Sequence, residues 1–469
     1  MLYELYWVQL NNIWENTIRM DNFYVHMAPN TQPEIVDTPI DSIPHWYSPE
    51  DDSISINDGS GAYVYDEDGT EYLDFLSQLY CVNAGHNEER IIEKITEQLQ
   101  QIPYVSSAKK NETRTEFARR LTDIAPESLS DVMFSISGSE ANETAIQIAR
   151  EYTGSQKVLT RWRSYHGSTY GAASLTGDPE TRATVERHAA VTGAAKFLPP
   201  MIHRSPFDGD TPEEIGQQAA DHLEFVIRNE GPDSIAAILT EPVAGTSGAY
   251  PAPPGYFERV RELCNKYDIL LISDEVIAGF GRCGDWFGIQ TEGVEPDMIT
   301  FAKGVTSAYV PLAGVLASDE IGSWLKETGF ELGQTFAGHP VGCAAGLGAL
   351  DVYEDELIEN VQLLEDEFQN ELKKIEERYE AVGSVHGRGF LWSVEFTDPE
   401  TGEPFVDPRI EDSENPVKQV REIAAENGVL FGSGRPDIQV LLSPPLCINS
   451  DKINKAISVL DSAINEIFE

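Results

Sequence analysis

The sequence predicts an α/β fold, with a mainly parallel sheet flanked by helices in a large domain, joined to a smaller α+β domain. Short apolar segments alternate with helical patterns from about residue 89, which is typical of a parallel sheet with helices on both faces. A hairpin pattern precedes them, and a long amphipathic helix with further strands follows about residue 340. We place the large domain at residues 89–345 and build the smaller one from residues 1–88 and 346–469.

The individual elements follow from local patterns. Residues 59–75 alternate apolar positions around the turn residues Asp68 and Gly69, which predicts a hairpin that packs with the small domain. Strands are predicted at 131–137, 157–161, 234–240, 268–273 and 297–302, with helices between them, one of which covers residues 256–267. The small domain continues with a small-residue helix (340–353), an amphipathic helix (apolar at Val361, Leu364, Phe368, Leu372 and Ile375), strands at 387–396 and 438–445, and a final helix.

Composition narrows the functional classes. The chain has 469 residues, 41% of them hydrophobic, and its net charge of −46 argues against binding to nucleic acid or an anionic membrane. Acidic residues are spread along the whole chain, which indicates a solvated surface. A more specific interpretation is adaptation to high intracellular salt. The five scattered cysteines lack a CxxC pair and predict reduced thiols, a cytoplasmic protein and no metal site. No segment suits a membrane span, and we expect residues 1–26 to be a loosely ordered arm or an upstream extension.

Each of the five core strands is followed by glycine or by polar or charged residues that are uncommon in a hydrophobic core. In chain order the strands run into Gly138 and Ser139, then Tyr165 and His166, then Glu241, then Asp274, and finally Lys303. In open α/β sheets, ligands bind at the carboxyl ends of the strands. Five strands that end in this way predict one functional site at that edge.

Two of these positions suggest a phosphate and an aldehyde as ligands. Gly138 and Ser139 open a helix, where free N–H groups and the helix dipole suit a phosphate, although an ordinary serine N-cap would explain the pattern too. Lys303 ends an apolar strand, and a desolvated lysine is an amine nucleophile that forms a Schiff base with an aldehyde. The alternative is a lysine that snorkels to solvent at a strand end.

Asp274 adds a third point of attachment on a neighbouring predicted strand. A ring aldehyde with a phosphate and a basic nitrogen would meet Gly138 and Ser139 through its phosphate, Lys303 through its aldehyde and Asp274 through its nitrogen. Pyridoxal 5'-phosphate is that ligand, and an aspartate that keeps its ring nitrogen protonated makes the ring an electron sink. Tyr165 would stack on one face of the ring and Val276 on the other.

Six motifs then resemble those of class III pyridoxal-phosphate aminotransferases, in the order of that family. They are SGSEAN (137–142), SYHGSTYGAASLTG (164–177), TEPVAGTSG (240–248), SDEVIAGFGRCG (273–284), FAKGVTSAYVPLAG (301–314) and TFAGHPVGCAA (335–345). The resemblance extends from about residue 40 to the C-terminus and implies a fold-type I enzyme. Residues 76–86, 161–175 and 434–446 are most similar to the ω-amino acid or amine:pyruvate transaminases.

The resemblance implies a role for each matching residue. Lys303 would form the Schiff base and shuttle a proton, and Asp274, supported by Glu241, would pair with the ring nitrogen. Thr335 would reach the phosphate of a second subunit, so the active unit would be a homodimer or a dimer of dimers. The other residues that the resemblance assigns to the cofactor are Gly138, Ser139, Tyr165, His166 and Val276.

The substrate pocket is assigned in the same way. Leu79, Tyr80 and Tyr165 would line it, with Tyr80 where the subgroup often has tryptophan. Arg435 would bind a substrate carboxylate and swing away for an amine, although the spacing around it differs from the family pattern. Arg388 is a less favoured alternative for that role.

The implied activity is transfer of an amino group from an ω-amino acid or primary amine to a keto acid, pyruvate, by a ping-pong reaction. The alternatives are a class III enzyme that uses 2-oxoglutarate, as 4-aminobutyrate transaminases do, and a pyridoxal-phosphate aminomutase or decarboxylating transaminase. Lys303, Asp274 and Glu241 together argue against a non-catalytic regulator that binds the cofactor. No GxGxxG or GxxxxGK[ST] motif directly follows a strand, and GFGRCG (279–284) only superficially resembles a glycine-rich loop, which argues against a nucleotide-binding protein.

Overall fold

The computed structural model describes residue 45 and residues 54–187 and 193–469. The arm expected at residues 1–26 lies outside these ranges. Residues 55–469 form one compact unit, and the division into domains at residues 88 and 345 stays a prediction. No helix in the described ranges has the length and apolarity needed to cross a bilayer.

Fifteen strands are described within these ranges. They are β1 (Ile56–Ser60), β2 (Tyr63–Asp66), β3 (Glu71–Asp74), β4 (Leu129–Ser135), β5 (Lys157–Arg161), β6 (Ala194–Phe197), β7 (Ile235–Thr240), β8 (Leu270–Asp274), β9 (Met298–Phe301), β10 (Ala313–Ser318), β11 (Val382–Arg388), β12 (Leu391–Phe396), β13 (Val429–Leu430), β14 (Gly432–Ser433) and β15 (Gln439–Leu442).

Twelve α-helices of six or more residues are described in the same ranges. They are α1 (Glu89–Gln101), α2 (Glu112–Ile124), α3 (Gly138–Thr153), α4 (Tyr170–Leu175), α5 (Pro179–Glu186), α6 (Pro212–Glu230), α7 (Tyr256–Tyr267), α8 (Asp319–Thr328), α9 (Pro340–Val352), α10 (Ile358–Arg378), α11 (Pro416–Glu426) and α12 (Ser450–Phe468).

The central sheet has seven strands in the order β4-β10-β9-β8-β7-β5-β6, and its core strands are buried on both faces. The five strands from β9 to β6 are parallel, whereas β10 is antiparallel to both β4 and β9. Because β4 and β9 both run against β10, they share one direction. The carboxyl ends of β4, β5, β7, β8 and β9 therefore meet at one edge, and the expected α/β fold is confirmed.

Of two further sheets, one joins segments from both ends of the described chain and the other contains late strands only. In one, the early hairpin strand β3 pairs in parallel with the late strand β13 through Leu73 and Val429. The other is antiparallel, in the order β11-β12-β15-β14. The expectation of a single strand over 387–396 is wrong. Gly389 has a φ of +58°, which turns the chain between β11 and β12.

Candidate active site

Asp274 and Lys303 lie at the ends of neighbouring parallel strands. Asp274 is the last residue of β8, and it is in register with Thr300 of β9. Lys303 follows β9 by two residues and begins a short 3₁₀ turn, Lys303–Thr306. The neighbouring positions that the sequence predicted for these two residues are therefore present in the fold.

The backbone at Lys303 is held in a conformation that few side chains adopt. Its φ is +50°, in the left-handed region, and such strain is found at functional sites where the surrounding structure enforces it. A Cβ on the next residue, Gly304, would lie 2.6 Å from Nδ2 of Asn83, so only glycine fits there.

The Lys303 amine lies in a site of low polarity. Its Nζ is 5.5 Å from the ring centroid of Tyr80, and its side chain is half-buried. Burial lowers the pKa of the Lys303 ammonium, and the charges of Cys81, Asp274 and Glu241 act weakly in the opposite direction. A larger fraction of neutral amine follows, which a nucleophile or base requires.

Asp274 is a buried carboxylate with three hydrogen-bond donors. It is 3% exposed. Oδ2 accepts hydrogen bonds from Nδ1 of His166 at 2.8 Å and Nδ2 of Asn142 at 2.9 Å, and Oδ1 accepts one from the Val276 N–H at 3.1 Å. Donors of this kind stabilise the charged carboxylate in a buried site.

Asn142 is a site residue that the sequence reasoning did not single out. Besides Asp274, its amide donates to the carbonyl oxygen of His166 at 2.7 Å, and its Oδ1 accepts from Oγ1 of Thr300 at 2.8 Å. It lies on the buried face of α3. The sequence signal that could have identified Asn142 is a polar residue on a buried helix face, within the SGSEAN motif.

The start of α3 approaches the same site. Ser137 is its N-cap and accepts from the Glu140 N–H at 3.3 Å, so the helix does have an ordinary serine N-cap, at the residue before Gly138. The Ser139 hydroxyl instead accepts from the Ser168 N–H at 3.0 Å. A Cβ on Gly138 would lie 2.9 Å from Cγ1 of Val276, so glycine permits this close approach.

Glu241 lies at the carboxyl end of β7 and is 4% exposed. Its carboxylate pairs with Nη2 of Arg161 at 3.0 Å and accepts from the Gly245 N–H at 3.1 Å. This ion pair and this hydrogen bond are made with Arg161 and Gly245, and not with Asp274. Its supporting role for Asp274 therefore stays a prediction, and Arg161 is a buried partner that the sequence reasoning missed.

Glu275 follows Asp274 but serves a different part of the fold. Its Oε1 accepts from the Ser273 hydroxyl at 3.0 Å and the Ile289 N–H at 2.8 Å, and its Oε2 accepts from the Gly288 N–H at 2.8 Å. Burial raises the pKa of the Glu275 carboxyl to about 7. Because successive residues of a strand point to opposite sides, Asp274 faces the site while Glu275 holds a loop.

Two aromatic rings and one guanidinium lie together beside this site. Tyr80 is 3% exposed and donates its hydroxyl to the Ser433 carbonyl at 3.2 Å, whereas Leu79 is 43% exposed. Burial raises the pKa of Tyr80, and the charges of Arg435 and Arg421 act in the opposite direction. The Arg435 guanidinium carbon is 5.3 Å from the ring centroid of Tyr165.

The remaining two assigned side chains lie elsewhere. Arg388 hydrogen-bonds to the side chains of Thr291 and Glu292, and so has other partners than the two rings. Thr335 is exposed, and its carbonyl accepts from the Tyr104 hydroxyl at 2.9 Å.

These residues fit pyridoxal phosphate. A partly desolvated amine, a buried carboxylate with three donors and the N-terminus of a 16-residue helix are brought to one sheet edge. The buried Nε2 of His166 also has no hydrogen-bond partner there. Within the described ranges, no group of three or more His, Cys, Asp or Glu residues is arranged to hold a metal ion.

Comparisons with known proteins agree with this geometry. The model of a family described as "Aminotransferase class-III" matches residues 46–464. A probable aminotransferase of Mycobacterium tuberculosis is 37% identical over 426 residues, 87% of this chain and 89% of that protein. The putrescine–pyruvate aminotransferase of Pseudomonas aeruginosa is 33% identical, over 88% of this chain and 90% of that protein. The taurine:2-oxoglutarate aminotransferase of Bifidobacterium kashiwanohense, solved with pyridoxal phosphate and glutamate, superposes with a TM-score of 0.86 at 33% identity, covering 91% and 96% of the two chains.

Proposed function

Since the chain belongs to the class III aminotransferases, we propose that it moves an amino group from an ω-amino acid or a primary amine to pyruvate by a ping-pong reaction. Membership makes it a pyridoxal-phosphate enzyme whose substrates are an amine and a keto acid. The observation that carries the choice of donor and acceptor is the position of the Arg435 guanidinium, 5.3 Å from the ring centroid of Tyr165.

The cofactor supplies an electron sink for the negative charge that forms at the substrate carbon. We assign its phosphate to Gly138 and Ser139, its aldehyde to Lys303 and its ring nitrogen to Asp274. His166 and Asn142 hold the Asp274 carboxylate in place, so its charge needs no reorganisation during the reaction.

Lys303 would act as the base once the substrate amine has displaced its amine from the aldehyde. Its Nζ would then take the proton from the substrate carbon and hold it for transfer to the cofactor. Burial lowers the pKa of this amine, so more of it is neutral and able to accept a proton. The ring of Tyr80 lies beside this amine, with its centroid 5.5 Å from Nζ.

A keto acid with one carboxylate suits the cations around the site. Arg161 is 1% exposed and is neutralised by Glu241, and Arg388 is paired with Glu292. Arg435 is 29% exposed at its side chain. Its one ion-pair contact, with Asp178, is a single bond at 3.3 Å, and on its release Arg435 can donate two parallel hydrogen bonds to the carboxylate of pyruvate. 2-Oxoglutarate would present a second carboxylate, for which neither Arg161 nor Arg388 is available because both are already paired.

We also propose that the active unit is a homodimer or a dimer of dimers. Tyr104 (40%) contacts Thr335, and its ring lies beside the exposed Phe336 (54%). Close to these two in the chain, Leu99 (51%), Ile102 (40%) and Leu332 (39%) are exposed too. Exposed apolar groups of this size mark interaction surfaces, and a second subunit that covers them would bring its Thr335 toward the neighbouring site.

We further propose a cytoplasmic location in a high-salt organism. The net charge of −46 and five unpaired cysteines support that location.

The test is a spectroscopic titration of the purified holoenzyme in high salt. An amine donor should bleach the visible absorption band of the bound cofactor, and pyruvate should restore it with one equivalent of alanine formed. In Arg435→Gln, the KM for pyruvate should rise about tenfold to a hundredfold, since a charged hydrogen bond contributes about 1.5–3 kcal/mol. The KM for propanal, which has no carboxylate, should not change.

Two matched variants complete this test. Lys303→Ala should lack the band and the activity, and the surface variant Arg378→Gln should behave as the wild type does. Restoration of the band by 2-oxoglutarate but not by pyruvate would refute the proposed acceptor. Unchanged use of pyruvate by Arg435→Gln would refute the role of Arg435.

A further inference from the structure

Arg435 is held by three partners on two other segments of the chain. Its Nη1 lies 3.3 Å from Oδ2 of Asp178 and donates to Oγ1 of Thr181 at 2.9 Å. Its guanidinium also lies over the ring of Tyr165 at 5.3 Å. Tyr165 is itself fixed by a 2.7 Å hydrogen bond between its hydroxyl and that of Ser168.

Asp178 is positioned by the start of α5. It is the N-cap of that helix and is 6% exposed. Its Oδ2 accepts from the N–H of Thr181 at 2.9 Å and from the hydroxyl of Thr181 at 2.6 Å. The same oxygen therefore already accepts two hydrogen bonds before it meets Arg435, and the ion pair uses one nitrogen and one oxygen only.

A second arginine–aspartate pair in the same protein shows what a strong pair looks like. Arg421 donates Nη1 to Oδ1 and Nη2 to Oδ2 of Asp437, both at 2.7 Å. Bidentate pairs of this kind are the strong ones. The single, longer contact between Arg435 and Asp178 is weak enough for a substrate carboxylate to displace it by offering two parallel hydrogen bonds.

We propose that Asp178 is a specificity-determining positioning residue that competes with the substrate carboxylate for Arg435. This inference rests on the proposed function, in which Arg435 binds that carboxylate. When the substrate is an amine without a carboxylate, Asp178 neutralises the guanidinium, so that no unpaired charge faces an apolar group. When the substrate has a carboxylate, it replaces Asp178. The strength of the Asp178 contact thus sets the balance between the two substrate classes.

The test compares binding of propionate, a carboxylate that cannot react, to the holoenzyme by isothermal titration calorimetry. Asp178→Asn removes the charge but keeps a good N-cap for α5. We expect it to bind propionate about fivefold more tightly, because a partly exposed ion pair contributes at most about 1 kcal/mol. In Glu186→Gln, which breaks the ion pair of Glu186 with Arg182 on the same helix, the affinity should equal that of the wild type.

Steady-state kinetics supply an independent readout. Asp178→Asn should lower the KM for pyruvate by a similar factor and leave kcat with pyruvate nearly unchanged. The KM for propanal should rise, because the charge of Arg435 is then no longer neutralised when a substrate without a carboxylate binds. A loss of structure at α5 would instead impair the reaction with both substrates. Should Asp178→Asn fold poorly, Asp178→Ser also removes the charge while keeping a good N-cap for α5, and it should tighten propionate binding in the same direction.

The double variant with Arg435→Gln separates the possible failures. If the competition acts through Arg435, Asp178→Asn has no effect on propionate binding in that background. If Asp178→Asn tightens propionate binding equally in the Arg435→Gln background, its effect comes from the lost negative charge and does not depend on Arg435. That result would overturn the proposal. Equal affinities of Asp178→Asn and the wild type, with weaker binding by Arg435→Gln, would overturn the competition and leave the proposed function intact. Wild-type affinity in Arg435→Gln would overturn both.

Discussion

Replacing Asp274 with asparagine tests the central electrostatic claim about this site. The change removes one negative charge and keeps the shape of the side chain. Both carboxylate oxygens already accept hydrogen bonds, Oδ2 from His166 and Asn142 and Oδ1 from the Val276 N–H. The new NH₂ group therefore faces a donor in either orientation, and we expect a loss of about 1–3 kcal/mol in the free energy of unfolding.

The catalytic effect should be larger than this structural one. Asp274 is 3% exposed, so water screens its charge only weakly. Two unit charges about 4 Å apart interact by about 4 kcal/mol at an effective dielectric constant of about 20. That energy corresponds to about three pKa units for a protonated nitrogen that depends on this carboxylate. We therefore expect kcat to fall about 10³-fold at neutral pH.

The assay is alanine formation from pyruvate under saturating cofactor, with the bound cofactor quantified by absorbance. Asp461→Asn is the control, because it removes the same charge from an ion pair with Arg378 at the surface. Thermal unfolding of each variant separates activity loss from structural loss. An Asp274→Asn enzyme that binds its cofactor and keeps kcat within tenfold of the wild type would refute the reasoning.

Three further predictions concern packing, pH and salt. In Gly138→Val, the added side chain would collide with Val276, whose Cγ1 is 2.9 Å from an ideal Cβ, so the Kd for pyridoxal phosphate should rise at least tenfold without global unfolding; an unchanged Kd in equilibrium dialysis would count against this packing. Burial raises the pKa of Glu275 in the folded protein from 4.5 to about 7. The folded protein favours the neutral Glu275 carboxyl, which therefore contributes about 3 kcal/mol to the free energy of unfolding. This contribution is fully present below pH 4.5 and is lost as the pH rises through 7. Urea unfolding across this range should show that slope in the wild type relative to Glu275→Gln, and parallel curves would contradict it. With a net charge of −46, dialysis from molar to low salt should lower the Tm, and an equal Tm in both buffers would contradict adaptation to salt.

Much of the fold was predictable because its signals are local. The strands β5, β7, β8 and β9 are short apolar runs that end in chemically distinctive residues, and helix α7 has a clear amphipathic period. Strand β10 (Ala313–Ser318) was not predicted, because alanine and glycine carry little strand preference and only its pairing with β4 and β9 defines it. The break in the predicted strand at 387–396 depends on the φ of Gly389, which no periodic pattern encodes.

The sequence by itself determined the sheet edge that carries the chemistry, because residues such as Asp274 and Lys303 follow their strands within a few positions. It could not determine their partners, since His166 and Asn142 lie 108 and 132 positions from Asp274. Only the tertiary structure decided that Ser137 caps α3, that Glu241 pairs with Arg161, and that Asp178 holds Arg435 across 257 positions. The physical reason is that the positions of strands and helices follow from hydrophobic patterning along the chain, whereas hydrogen-bond partners follow from which side chains the completed packing leaves within about 3 Å of each other.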